Sequence, residues 1–398
     1  MRGGFAVILV GAGFICACDR AFAADANRIN IQAVVTGTYD SNVARSDAAT
    51  AQERGVVPGD FITEPAISVD IRLPVSRQVI YLNGSAGYDF YAHNSFLNAG
   101  NVGLHGGVQA LIRRCKATVD AGVVYQQSDL QLLSLAATRN QENTETISLD
   151  GSCGGDVGLA PSLTVSQQWT NNSAAELQTS NFNDLSLTAG IGYRRPLFGE
   201  LSVFFSYDDA SFPNRNVLAP GALLEDGYRD YSAGVRYDRR FGAKIEGDVK
   251  VAYTVVHPDD PTLKGSQGVT FDAELTFRAS RLLQAKLSLA RAVNPTIRPD
   301  VTYGIEGTYS GELDYTPGRK LKLAVGASGV SDAYRGVAVT PALDVTRETG
   351  WDVFGSAHYQ LDRRIGFGLD IRHERRDANL PEFSYSDDRV ALSIMGAI

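Results

Sequence analysis

The sequence predicts an all-β fold: a single transmembrane antiparallel β-barrel of about 18 strands (16–18), with short periplasmic turns and longer extracellular loops. Three observations lead there. Apolar and polar residues alternate with period two from one end of the chain to the other. The alternating segments run for about 10–14 residues, beyond the usual ~5–6 of soluble strands and suited to a tilted bilayer crossing. The connections alternate between short and long, as in barrels whose turns lie on one side and loops on the other.

The first segment sets the pattern. Ile29, Ile31, Ala33, Val35, Gly37 and Tyr39 share one face, while Asn30, Gln32, Thr36, Thr38 and Asp40 share the other. Successive side chains of a strand point to opposite faces, so this is a strand with one apolar and one polar side. Similar series follow at Pro65–Leu73, Ile245–Val255, Val269–Phe277, Val301–Tyr309 and Ile365–Ile371. The last strand is placed at residues 385–398, with Val390, Leu392, Ile394 and Ile398 on the apolar side. The segments 162–171 and 340–347 alternate least clearly. No amphipathic helix of useful length interrupts the series. Short connections are expected at 74–78, 113–114, 238–242, 279–281 and 361–364. Long ones are expected at 41–60, 127–140, 211–225, 257–266 and 331–347. Tyr39, Tyr88, Tyr125, Trp169, Tyr193, Tyr207, Tyr237, Tyr253 and Tyr359 stand near the ends of apolar faces, where interfacial girdles form.

Composition narrows the function classes. The chain has 398 residues, 44% hydrophobic and 21% charged, which is too apolar for a disordered protein. Its net charge of −8 lacks the basic field of a nucleic-acid binder. Beyond the N-terminus no apolar run reaches the ~18 residues of a membrane helix. Four cysteines without a C-x-x-C pair, and five histidines, leave no zinc framework, and neither metal nor cofactor is expected.

Residues 1–23 read as an export signal. Arg2 precedes an apolar stretch from Phe5 to Ala17, and Ala21-Phe22-Ala23 supplies a cleavage site before Ala24. Acylation at Cys18 is the competing reading. The mature chain, 24–398, is then one barrel with only Cys115 and Cys153, in an oxidising compartment. Both have lipid-face parity at the periplasmic ends of consecutive strands, with the connecting loop turning near Ser134. An antiparallel pairing would set them opposite each other, and a disulfide is expected.

The motif Gly37-Thr38-Tyr39-Asp40-Ser41-Asn42, with Pro65, Arg72 and Tyr88-Asp89-Phe90-Tyr91-Ala92-His93-Asn94, resembles the outer-membrane "putative β-barrel porin 2" family of Gram-negative bacteria. Some members of that family are encoded beside exopolysaccharide genes. The resemblance implies an outer-membrane barrel and, as a further expectation, polysaccharide export components as partners. The chain departs from the usual aromatic end of such proteins, closing on Gly396-Ala397-Ile398. The remaining expected partners are outer-membrane lipids, lipopolysaccharide and the barrel-assembly machinery.

Arg236, Lys244, Glu246, Asp248, Lys250, Asp272 and Glu274 have lumen parity on three consecutive strands and are the expected pore-lining patch. Such a patch screens solutes by charge, or simply keeps a water-filled wall rigid through cross-strand pairs. With both signs on neighbouring strands it predicts little ion selectivity. The expected function is a channel for small polar solutes or for export of a polysaccharide. A barrel without open conductance is the alternative, and an outer-membrane lipid hydrolase a remoter one. No enzyme is expected: there is no G-x-S-x-G, His105 and His358 have lumen parity, and His93 and His257 fall in loops. Only His373, within Arg372-His373-Glu374-Arg375-Arg376, has lipid-face parity near an outer rim, where the run suits lipopolysaccharide phosphates or solvent. His257-Pro258-Asp259-Asp260-Pro261 has too few oxygen ligands for a calcium site and reads as a stiff turn.

Overall fold

The computed structural model describes residues 28–128, 139–219, 222–296, 298, 301–336 and 345–398. The expected export signal lies outside them. Eighteen strands, β1 (Arg28–Asp40) to β18 (Tyr385–Ala397), each pair antiparallel with their chain neighbours, and β18 pairs with β1. The sheet is therefore closed, each described strand having a partner on both sides over at least part of its length.

Closure follows from the alternation. Val35, Val203, Leu289 and Leu392 are half or more exposed on the outer face, while inward positions carry Asp, Glu, Arg, Ser and Thr. A face that stays apolar while exposed suits lipid, and the polar inner face suits water. Tyr39, Tyr88, Tyr125 and Trp169 stand near the loop ends of their strands, whereas Tyr193, Tyr237 and Tyr359 stand near the turn ends. These are two aromatic belts. Residues 76–77 and 113–114 form two-residue turns, in which the non-glycines Ser76 and Arg113 take φ of 59°. That left-handed backbone matches the strand twist of tight hairpins.

Several sequence boundaries shift. The expected loop 211–225 is mostly strand: β9 (Gly199–Ala219) and β10 (Ala222–Phe241) run on as one long hairpin. Their alternation is interrupted at a register shift between Glu225 and Asp226, which made the arm look like a loop. The segment 162–171 lies within β7 (Gly158–Asn172). The other uncertain segment, 340–347, contributes only Arg347, the first residue of β16 (Arg347–Gln360); 340–344 lie outside the described residues. His257 is the penultimate residue of β11 (Ile245–Pro258) rather than standing in a loop. A short helix, α1 (Ala48–Glu53), capped by the Asp47 side chain accepting from the Thr50 N–H, occupies the first long loop.

The seam between β1 and β18 is closed at its outer end by charge. Asp40 and Asp387 both hold Arg45, at 2.7 and 3.0 Å, and Arg389 Nε lies 2.7 Å from the Asp387 carboxylate. Burial by itself would lower the Arg45 pKa, but the two carboxylates hold the guanidinium well above the ordinary arginine value. The motif Gly37–Asn42 thus serves the closing seam. The second motif serves a loop: the Asp60 carboxylate accepts the backbone N–H groups of His93 and Asn94 and the Asn94 side-chain amide.

Cys115 of β5 (Cys115–Gln127) lies opposite Cys153 of β6 (Gln141–Cys153), and the two form a disulfide with Cα atoms 4.0 Å apart. Closing this loop is expected to stabilise the fold by about 4 kcal/mol in a chain-entropy account. In denatured, unreduced protein the peptides carrying Cys115 and Cys153 are expected to resist thiol alkylation until a reductant is added. Reaction at both without reductant would show the bridge absent.

Candidate functional site

The lumen wall is built by strand parity, and its expected patch is only partly one assembly. Arg236 Nε donates to Asp248 at 2.7 Å. Glu246 accepts from Arg240 and Arg278, each at 3.1 Å. Lys250 Nζ lies 4.7 Å from the Phe204 ring centroid and directly opposite Asp272 in the ladder. Glu274 stands opposite Asp248. Lys244 does not join them: it falls in the turn 242–244, exposed at the inner end, because β10 runs to Phe241 and β11 begins at Ile245. The sequence reading missed Arg240 and Arg278, which occupy lumen positions four residues beyond Arg236 and Glu274, past Asp238 and Thr276. Arg240 falls within the expected turn 238–242, though extending the parity series of β10 past Asp238 finds it.

The second feature is a narrowing that alternation does not reveal. β12 (Ser266–Arg278) and β13 (Leu283–Asn294) pair only from Phe271↔Arg291 to Arg278↔Gln284. Beyond that point β12 keeps its partner β11, and β13 keeps its partner β14 (Tyr303–Tyr315), but the two no longer meet. The Arg291 guanidinium reaches back to the Val269 carbonyl at 3.2 Å, covering part of the freed edge. The end of the β13–β14 hairpin leaves the wall here.

Where it goes is fixed by contacts. Tyr303 and Tyr228 lie with ring centroids 5.3 Å apart. They belong to strands four apart, and neighbours in a sheet are spaced by about 4.8 Å, so along the wall they would stand roughly 19 Å from each other. Tyr303, Val293 and Ile305 carry outward parity, yet they pack on Tyr228, Val256 and Ala210, which carry inward parity. The outer face of the hairpin end therefore lies against the inner face of β9–β11, and the sheet overlaps itself like a loosely rolled page. The connection that follows reaches the other side. The Val301 carbonyl accepts from Arg215 of β9 at 2.9 Å, and the Val301 side chain packs with Tyr334, Val345 and Leu380. Arg298 Nη2 donates to Glu348 of β16 at 2.9 Å. The described residues 293–296, 298 and 301–305 thus mark a bar between the β9–β11 wall and the wall of β15 (Leu321–Arg335), β16 and β17 (Ile365–Ala378).

Glu348 anchors that bar. It is 1% exposed and also accepts from Arg376 and from the Tyr334 hydroxyl. Sequence gave no hint of this group, because its members are far apart along the chain and Tyr303 has the parity of a lipid-facing residue. The one available signal was Arg291, a charge that interrupts the apolar series Leu283, Ala285, Leu287, Leu289. Over the mouth, Val43, Ala44, Ala51 and Val56 of the first loop pack with Leu97 and Leu177, so loops from separate parts of the rim converge.

Four of the five histidines meet carboxylates: His93 with Asp60, His105 with Asp120, His358 with Asp370, and His373 with Asp388 at 2.7 Å. His257 lies edge-on to Tyr231. Asp259 pairs with Arg229, and Asp260 accepts from Thr262, so the expected turn after His257 uses its own carboxylates. Among the described residues no three potential metal ligands come together.

Residues 225–397 match the model of the family described as "Putative beta-barrel porin 2". It is the family that the N-terminal motifs resemble, and the match covers the opposite end of the chain. The match and the closed barrel together imply an outer-membrane protein. No curated protein matches the sequence. Among solved structures, Pseudomonas aeruginosa OpdL is 12% identical with a TM-score of 0.47, over 94% of this chain and 98% of that one. P. aeruginosa OccK2 (OpdF), in complex with glucuronate, is 11% identical with a TM-score of 0.48 over the same shares. The P. aeruginosa outer membrane protein OpdK is 13% identical with a TM-score of 0.46, over 93% and 98%.

Replacing Glu348 with Gln leaves the buried Arg298 and Arg376 without their anion, and breaking such a pair costs about 3–5 kcal/mol. Glu348→Gln is expected to lose its folded, compact gel band at a clearly lower temperature than the parent. An unchanged transition would show that the anchor carries no stability.

Proposed function

We propose that this protein is an outer-membrane channel through which small polar solutes diffuse. One observation carries the reading: the inner face of the closed barrel is polar and charged from the inner mouth to the bar. A wall of this kind suits a water-filled passage, and a barrel of this strand number is too wide for its own wall side chains to fill. The bar and the Arg236–Asp248 and Glu246–Arg278 pairs supply the narrowing and the rigid charged lining that a diffusion channel uses to sort solutes. Export of a polysaccharide is the second cargo consistent with a wide polar lumen, supported only by the family resemblance.

A barrel without open conductance is the competing reading. What favours it is the bar itself together with the loops that converge over the mouth. Delivery fits the same picture: residues 1–23 act as the export signal, removed after Ala23, and the barrel-assembly machinery inserts the rest. On the outside, Trp351, His373 and Arg375 at the rim are suited to lipopolysaccharide head groups.

Purified protein whose folded state is verified by its gel shift on boiling is expected to give discrete conductance steps in planar bilayers. Silence from folded protein would favour the closed-barrel reading. Tyr303→Ala removes the main contact holding the bar to the β9–β11 wall and is expected to raise the unit conductance. An unaltered step size would place the narrowest section elsewhere.

A further inference from the structure

We infer that the passage favours cations and neutral or cationic polar solutes, and disfavours anions. The inference deepens the channel reading and rests on it. A wall whose charges served only rigidity would set opposite signs across from one another, because like charges directly opposed on neighbouring strands are destabilising. In several rows the register does the reverse. Glu200, Asp238, Asp248 and Glu274 stand opposite one another across β9, β10, β11 and β12. Asp208 of β9 faces Asp230 of β10. Glu306, Asp332 and Glu348 face one another across β14, β15 and β16.

Position gives these rows their weight. The Asp208–Asp230 pair lies two residues from Tyr228 on the wall that receives the bar, and Glu306 lies three residues beyond Tyr303 on the bar's own strand. Carboxylates therefore flank the narrowing from both sides. Some of the acids in these rows have arginine partners, as Glu348 does with Arg298 and Arg376, and Asp248 with Arg236. Asp208, Asp230, Glu306 and Asp332 make no salt bridge among the described residues. A further basic group, Arg278, Arg281, Lys322 and His358, lines a hollow at the inner mouth, away from these rows. In a passage made of sections in series, the narrowest section sets the selectivity, and there the fixed charge is negative. Lys250 stands near Asp208 and Asp230, and Arg298 and Arg376 near Asp332, but in each group the acids outnumber the bases. A permeating cation supplies the remaining counter-charge, whereas an anion is repelled. Of the two cargoes considered above, this wall disfavours a polysaccharide where that polymer is acidic.

The test is a zero-current potential across a bilayer separating concentrated from dilute KCl at pH 8. The expected sign is that of a cation-preferring pore, with potassium several-fold more permeant than chloride. Asp208→Asn/Asp230→Asn, still shifting on boiling, is expected to move the potential toward zero, and Glu306→Gln/Asp332→Asn likewise. In liposome swelling, glucosamine is expected to enter at least as fast as glucose, and glucuronate more slowly. Channel events that reverse at zero or with anion sign would overturn the selectivity and leave the channel intact. A potential unmoved in both double variants would remove these carboxylates as its source. A folded protein with no events would overturn the channel reading and this inference with it.

Discussion

Peptide groups in hydrocarbon have no water to bond to, and each one left unpaired costs several kcal/mol. That constraint governs the rest of this structure. It requires β18 to find β1, so that chain ends separated by the whole sequence become neighbours. The period-two alternation is the other half of the same demand, since a closed sheet in a membrane must turn one face to lipid and the other to water. The charged clasp of Asp40, Arg45, Asp387 and Arg389 sits where the demand is hardest to meet, at the seam whose strands are most distant in sequence.

The break between β12 and β13 shows how far the rule can be relaxed. Pairing holds from Phe271 toward the inner mouth and stops beyond it toward the loops. The freed backbone near Val269 is partly covered by Arg291. What the sheet forgoes in ladder hydrogen bonds is offset by apolar contact between layers, with Tyr303, Val293 and Ile305 packed on Tyr228 and Val256. A barrel wall can thus supply its own obstruction without an inserted domain.

This division explains what was legible in the sequence. Alternation reports which face a residue occupies relative to its strand, so the strand number, the inward charges and the opposed cysteines could all be read from it. It does not report whether the strand remains in the wall. Tyr303 has the parity of Tyr309, which is exposed on the outer face, yet it is fully buried inside. The group around Glu348 draws Arg298, Tyr334 and Arg376 from separate elements, and no spacing rule links them. Lys244 was misplaced for a local reason: parity says nothing about where a strand stops. The like-charge rows were hidden too, because parity assigns each acid to the lumen but only the register shows which acid it faces.

The disulfide between Cys115 and Cys153 lies at the base of a hairpin made of strands adjacent in sequence. Such a bond needs only its own two strands and an oxidant, so it can form while the chain is still in the aqueous space before the membrane. The polypeptide would then reach its bilayer with one pair of strands already in alignment. A slip by one residue, which would turn apolar side chains into the lumen and charges into lipid, is forbidden at that place from the start. The remaining strands could add to either side of this fixed pair, making the covalent link a ruler for a sheet that does not yet exist.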